Sequence, residues 1–188
     1  MRADWLRSTP ARGLLGATLG VCLLLGGAFL AVDQLHSTAA DAVNPSGPTV
    51  SDEQSKAQAV GSARLLAGDA RLHTTTAGYM LMSCRDRDNP PYQGAVYLTF
   101  AVPPGTRADA YLPEVTRTLT SAGWVEGLQP GGHAYSKSLT KGAVTAIIYR
   151  HDDDPNLGVL RLYGECRNMN DHRNDATAWV DITNLFTP

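Results

Sequence analysis

Twenty consecutive residues, Gly13 to Val32 (GLLGATLGVCLLLGGAFLAV), carry no Lys, Arg, Asp or Glu. As a helix rising about 1.5 Å per residue, such a run extends about 30 Å, the thickness of bilayer hydrocarbon. Arg2, Arg7 and Arg12 precede it with only Asp4 against them, and Asp33 follows. The positive-inside rule then places residues 1–12 in the cytoplasm and residues 13–32 across the cell membrane as a single-pass signal anchor, with everything C-terminal extracytoplasmic. A cleaved signal peptide is expected to have an apolar region of about 7 to 15 residues with a small-residue site close behind it. Here the run is longer, and the nearest A-x-A, Ala40-Asp41-Ala42, lies well downstream. A lipid-modified cysteine needs a small residue just before it; Val21 stands before Cys22, so Cys22 reads as a lipid-embedded thiol.

Gly13, Gly16, Gly20 and Gly27 fall on one face of that helix and include one G-x-x-x-G. Small residues there let two helices approach closely in lipid, which raises the expectation of a homodimer through this segment, set against chance in a Gly-rich chain. The 16 Lys and Arg residues form no basic block and the formal charge is only −2, which speaks against nucleic acid as a partner. Residues 33–50 include HSTAADAVNPSGPTV, small and polar with Pro45 and Pro48, and read as a flexible tether.

Residues 51–188 read as one extracytoplasmic α+β domain. Ser51 and Gln54 form a capping-box pair ahead of a helix over Asp52–Ala67, with Ala57, Val60, Leu65 and Leu66 as its apolar stripe and Gly68 as its C′ residue. Two strands follow, Gly78–Cys84 and Gly94–Val102, the second alternating Val96, Leu98, Phe100 and Val102 against Tyr97 and Thr99. A second helix runs towards Gly123 with Asp109 as its N-cap, placing Pro113 at the edge of the first turn. Strands over Ala134–Leu139, Ala143–Arg150 and Gly158–Gly164 complete an antiparallel sheet with the helices packed on one face.

Cys84 and Cys166 are the two cysteines beyond the apolar segment, and an even pair outside the membrane is expected to be a disulfide. Strand parity is consistent: Met80, Met82 and Cys84 share one face of their strand, as do Leu160, Leu162, Gly164 and Cys166 of theirs, so both thiols are expected to face one core. The pairing juxtaposes two Cys-Arg dipeptides. Arg85, Arg87 and Arg167, with His172 and Trp179, are the expected partner or ligand surface.

No nucleophile, dinucleotide or phosphate-loop motif occurs. From Asp152 an EF-hand would need Gly and Glu where Leu157 and Tyr163 stand. The histidines His36, His73, His133, His151 and His172 show no zinc spacing. No catalytic residue, metal or cofactor is therefore expected, and the reading leans away from an enzyme. The rivals are a metal-dependent hydrolase drawing on His133, His151 or His172 with nearby Asp residues, and a small-ligand sensor built on Trp124, Tyr135, Tyr149, Tyr163 and Trp179.

At SCRDRD, LTSAGW and LRLYGECRNMNDHR, over about residues 50 to 188, the outer domain resembles small membrane-anchored or secreted cell-envelope proteins of unassigned function from actinobacteria. The resemblance implies an envelope location, with an envelope protein or cell-wall component as partner, and transfers no catalytic residues.

Overall fold

The capping box at Ser51 forms as its residue types require. The Ser51 hydroxyl accepts from the Gln54 N–H at 3.2 Å, and the Gln54 side chain accepts from the Ser51 N–H at 2.8 Å. The computed structural model describes residues 47–85, 89–175 and 178–186. Helix α1 covers Asp52–Asp69, with Asp52 and Glu53 in its first turn complementing the helix dipole. Its buried seam corrects the expected stripe: Ser55, Ala59, Val60, Ala63, Leu66 and Ala67 are buried, whereas Leu65 is 71% exposed and Ala57 is exposed. The seam is small because the helix lies almost on the sheet backbone; a Cβ at Gly94 would come 2.5 Å from the Ser55 carbonyl oxygen. A Schellman motif ends α1, with Leu72 N–H donating to Ala67 O at 2.8 Å and Arg71 N–H to Gly68 O at 3.1 Å. The left-handed residue is Arg71, at φ 51°, and not Gly68.

Strand β1 (His73–Ser83) begins earlier than the expected Gly78, because the polar run before it also pairs with β2 (Tyr92–Ala101). Thr75 and Thr76 each meet Thr99 through hydroxyls 2.6 Å apart. Helix α2 (Ala108–Ser121) has Arg107 as N-cap with no side-chain cap bond. Asp109, the expected cap, sits in the first turn and pairs with Arg107. Pro113 lies inside the helix, where it removes one backbone donor. Gly123, at φ 90°, ends α2 as its position predicts, and Lys141 Nζ donates to the Ala122 carbonyl at 2.8 Å, placing a cation at the helix's negative end.

The remaining strands are β3 (Val125–Glu126), β4 (Lys137–Lys141), β5 (Val144–Arg150), β6 (Leu157–Tyr163) and β7 (Val180–Asp181), followed by a 3-10 turn at Thr183–Leu185. β4 starts later than the expected Ala134, since Tyr135 is left-handed at φ 59° and the hairpin turns at Gly142, φ 60°. The two-residue strands β3 and β7 carry too little pattern to read from sequence. All seven strands form one antiparallel sheet in the order β3-β4-β5-β6-β2-β1-β7. The β2–β6 pairing joins the N-terminal hairpin to the meander.

Both helices pack on one face of the sheet, over a core of Ala77, Tyr79, Val96, Leu98, Phe100, Leu139, Ala146, Ile148, Leu160 and Leu162. The α+β architecture with helices on one face is therefore as expected. Cys84 and Cys166 form a disulfide with Cα atoms 6.0 Å apart, but the parity argument for it fails. Met80 pairs with Ala95 and Leu160 with Leu98, which places Met80 and Leu160 on opposite faces. The cysteines meet because both lie beyond their strand ends, where alternation no longer governs direction.

Among the described residues no helix is long and apolar enough to cross a membrane. The proposed anchor Gly13–Val32, with Gly13, Gly16, Gly20, Gly27 and Cys22, lies outside the described residues, as does Arg87.

Two stability outcomes follow. A Cβ at Gly158 would sit 2.2 Å from Cζ of Phe100, which is fully buried. Gly158→Ala should cost about 1–3 kcal/mol of overpacking, read as a lower urea midpoint; an unchanged midpoint would contradict the packing. Replacing Cys84 and Cys166 by Ser releases a crosslink of sequence separation 82. The expected loss is up to about 4–5 kcal/mol in the chain-entropy description, measured in the same titration.

Candidate functional site

The residues expected to form one surface are divided between two sides of the sheet. On the helix side, the chain leaving β6 runs past the disulfide and is tied to the N-terminus of α1. Arg167 pairs with Glu165, its Nη1 donates to Pro48 O at 3.2 Å, and its carbonyl accepts from Val50 N–H at 3.1 Å. Asn168, fully buried, exchanges both backbone hydrogen bonds with Tyr92, and its Nδ2 donates to Asp52 Oδ1 at 2.7 Å. Asn170 Nδ2 donates to the same oxygen at 2.8 Å, and His172 Nε2 lies 3.0 Å from it. The other His172 nitrogen, Nδ1, is 2.6 Å from Asp175 Oδ2, and the ring meets Tyr92 edge to face at 4.9 Å.

With carboxylates at both nitrogens, the His172 ring donates twice, which is the protonated form. Burial opposes that charge, but the bond to Asp175 and the charge of Asp52 outweigh it and raise the pKa. Burial likewise works to raise the Asp52 pKa, yet the donors Asn168 and Asn170 and the His172 charge lower it overall. With a side-chain exposure of 7%, His172 forms a clasp between the chain leaving β6 and the first turn of α1. Arg85, beside the disulfide, is exposed.

Trp179 lies on the opposite face, over Gly78, where a Cβ would be 3.1 Å from its own Cβ, and 5.9 Å from the Tyr97 ring. Beside Tyr97 stands Arg161, a residue the sequence reading did not single out. Its guanidinium is 5.6 Å from the ring centres of both Tyr97 and Tyr149 and also interacts with Tyr163. Burial disfavours the Arg161 charge, and the surrounding tyrosine oxygens more than offset this. No carboxylate pairs with Arg161 among the described residues, and its buried Nε has no hydrogen-bond partner. His133 extends the array, stacked at 4.0 Å on Tyr149 with Nδ1 3.0 Å from Asp152.

This array became visible only through strand register, which sets Tyr97 opposite Arg161 and Arg161 opposite Ile147. The alternation in LRLY placed Arg161 and Tyr163 on one face, but nothing local paired them with Tyr97 or Tyr149. Of the other aromatics, Trp124 is buried in the helix-side core, away from Tyr149, Tyr163 and Trp179. Tyr135 lies under the Arg150 head at 5.9 Å. His151 Nδ1 accepts from Asp153 N–H at 3.2 Å. Among the described residues no group of three His, Cys, Asp or Glu is arranged to hold a metal ion.

The clasp sets a pH window. Because the His172 pKa is raised, its contribution is complete below 6.5 and is lost as pH rises through the raised value. Because the Asp52 pKa is lowered, its contribution is present above 3.8 and is lost as pH falls through the lowered value. His172→Gln should cost about 1–3 kcal/mol near pH 5–6 and abolish the alkaline-side decline; urea titrations across pH check this, and an unchanged decline would assign it to another group.

The family model described as "Putative lipoprotein LppJ" matches residues 51–185. A protein of that description from Mycobacterium bovis is 36% identical over 167 residues, covering 87% of this chain and 86% of its own. Another from Mycobacterium tuberculosis is 37% identical over 164 residues, covering 86% and 84%. No solved structure matches. These mycobacterial relatives accord with the actinobacterial resemblance, and the chain belongs to the family described as "Putative lipoprotein LppJ".

Proposed function

We propose that this chain is a membrane-attached, extracytoplasmic binding protein without catalytic activity, presenting the sheet face that neither described helix covers to a partner protein or envelope component. The observation that carries the reading is the distribution of side chains between the two faces. Both described helices cover one face, while the other holds Tyr97, Tyr163 and Arg161, with the buried Tyr149 beneath them and Trp179 at 45% exposure at the edge. Aromatic and Arg side chains are the types that dominate binding hot spots, because they offer large contact area with few rotatable bonds. The clasp at His172 then serves to hold the domain's framework, with Arg85 exposed beside the disulfide and Arg167 paired to Glu165.

Attachment through residues 13–32 as an uncleaved span is favoured by their length and by Val21 before Cys22. The relatives' description as lipoproteins supports membrane attachment and favours a second form of it, an acyl anchor on Cys22. Cys22→Ala separates the two. A spanning anchor keeps the variant in the membrane fraction at unchanged mass apart from the substitution; release of the variant, with a lipid adduct on the parent's Cys22, establishes the acyl anchor instead.

The binding face is tested by crosslinking in intact cells. Trp179→Ala and Tyr97→Ala should each weaken capture of the principal partner about tenfold or more, a loss of about 1.4 kcal/mol or more. Thermal unfolding of the same variants separates lost contact from lost fold. Retention of capture by both would exclude this face.

A further inference from the structure

A groove of about 610 Å³ opens at the end of α1, within the range of small-molecule sites. Its apolar wall is made by Leu72 and, from the 3-10 turn, Leu185 and Phe186; Arg64, Arg71 and His73 line it as well. Among the described residues no carboxylate lines it. Asp69, close in sequence, faces a different cavity with Trp124 and Lys141, and the Asp181 carboxylate accepts from the Thr183 N–H and hydroxyl. No ion pair engages Arg64 or Arg71 among the described residues. The Thr74 hydroxyl on the groove wall is buried without a hydrogen-bond partner.

The closing carbonyls of α1 do not compete for these cations, since Ala67 O and Gly68 O already accept from Leu72 and Arg71 N–H groups. Arg71 also occupies the left-handed C′ position, φ 51°, where Gly is the favoured residue. The groove thus joins an apolar wall to two guanidinium groups that no described carboxylate pairs. Such a lining complements one molecule with both properties, an aliphatic chain ending in a carboxylate, because Arg recognises carboxylates through paired, charge-assisted hydrogen bonds.

We propose that this groove binds a medium-chain fatty acid, with its carboxylate at Arg64 and Arg71 and its chain along Leu72, Leu185 and Phe186. The site is independent of the sheet face and of the partner reading. The test uses the full chain in phosphatidylcholine nanodiscs, irradiated with photoactivatable dodecanoic acid or with the corresponding dodecanol, and adducts are located by peptide mass spectrometry. Acid adducts should saturate on the peptides bearing Leu72 and Leu185–Phe186 and be competed by unlabelled dodecanoate. They should fall about tenfold in the double variant Arg64→Gln, Arg71→Gly, and the alcohol should label these peptides about tenfold less than the acid. Gly suits the backbone at position 71, so the thermal midpoint of the double variant should match or exceed the parent's. Leu185→Ser, at a position already 38% exposed, should reduce labelling with the arginines intact. Equal labelling by the alcohol, undiminished labelling of these variants, or adducts confined to residues 13–32 would overturn the proposal.

Discussion

The close approach of α1 to the sheet backbone at Gly94 and Gly164 is the contact on which the remaining organisation rests. A Cβ at Gly94 would meet the Ser55 carbonyl at 2.5 Å, and one at Gly164 would meet Gln58 Oε1 at 2.7 Å. The two glycines are themselves joined, Gly164 N–H donating to Gly94 O at 2.9 Å, and Gln58 Oε1 accepts from Glu165 N–H at 2.9 Å. A helix held this near brings its first turn within reach of the chain leaving β6. Asp52 can then collect donors from Asn168, Asn170 and His172 on one carboxylate oxygen. The disulfide lies beside this junction and joins the chain leaving β1 to the chain leaving β6.

That arrangement assigns different work to the two faces of the sheet. On the helix side Asn168 has both backbone and side-chain partners and His172 is held at both nitrogens, whereas Ser55 Oγ, the Tyr79 hydroxyl and Trp124 Nε1 are buried without a hydrogen-bond partner. Tyr79, buried on this side, has its pKa pushed up to about 12 by burial and by the carboxylates of Asp52 and Glu53, so its phenol stays neutral. On the other face Arg161 stands among tyrosine rings, and no carboxylate pairs with it among the described residues. The tyrosine oxygens offset the cost of burying this charge, and a ligand or partner surface of suitable chemistry would add a further counter-charge.

Much of the fold was readable because its signals are local. The capping box at Ser51 and Gln54, the alternation in GAVYLTFAV, and the Gly123 helix exit each depend on residues within one or two turns of one another. The α1 seam was misread because side-chain size stood in for burial. Leu65 looked like core and is exposed, whereas Ser55, Ala59 and Ala63 are buried because only small residues permit the approach to Gly94. Cys84 and Cys166 were paired for a sound reason of compartment and an unsound one of parity, since alternation ends where the strands end.

The sequence by itself determined the alternation of apolar and polar positions, the capping box at Ser51, the helix exit at Gly123, the cysteine pair and the uncharged segment Gly13–Val32, each of which is a one-dimensional property of spacing or composition. Tertiary structure alone decided that β2 pairs with β6, that His172 faces Asp52 across a sequence separation of 120 residues, and that Tyr97, Tyr149 and Arg161 form one array. The physical reason is that strand register and helix–sheet distance are set by packing of the whole core, and no residue carries the identity of its distant neighbour.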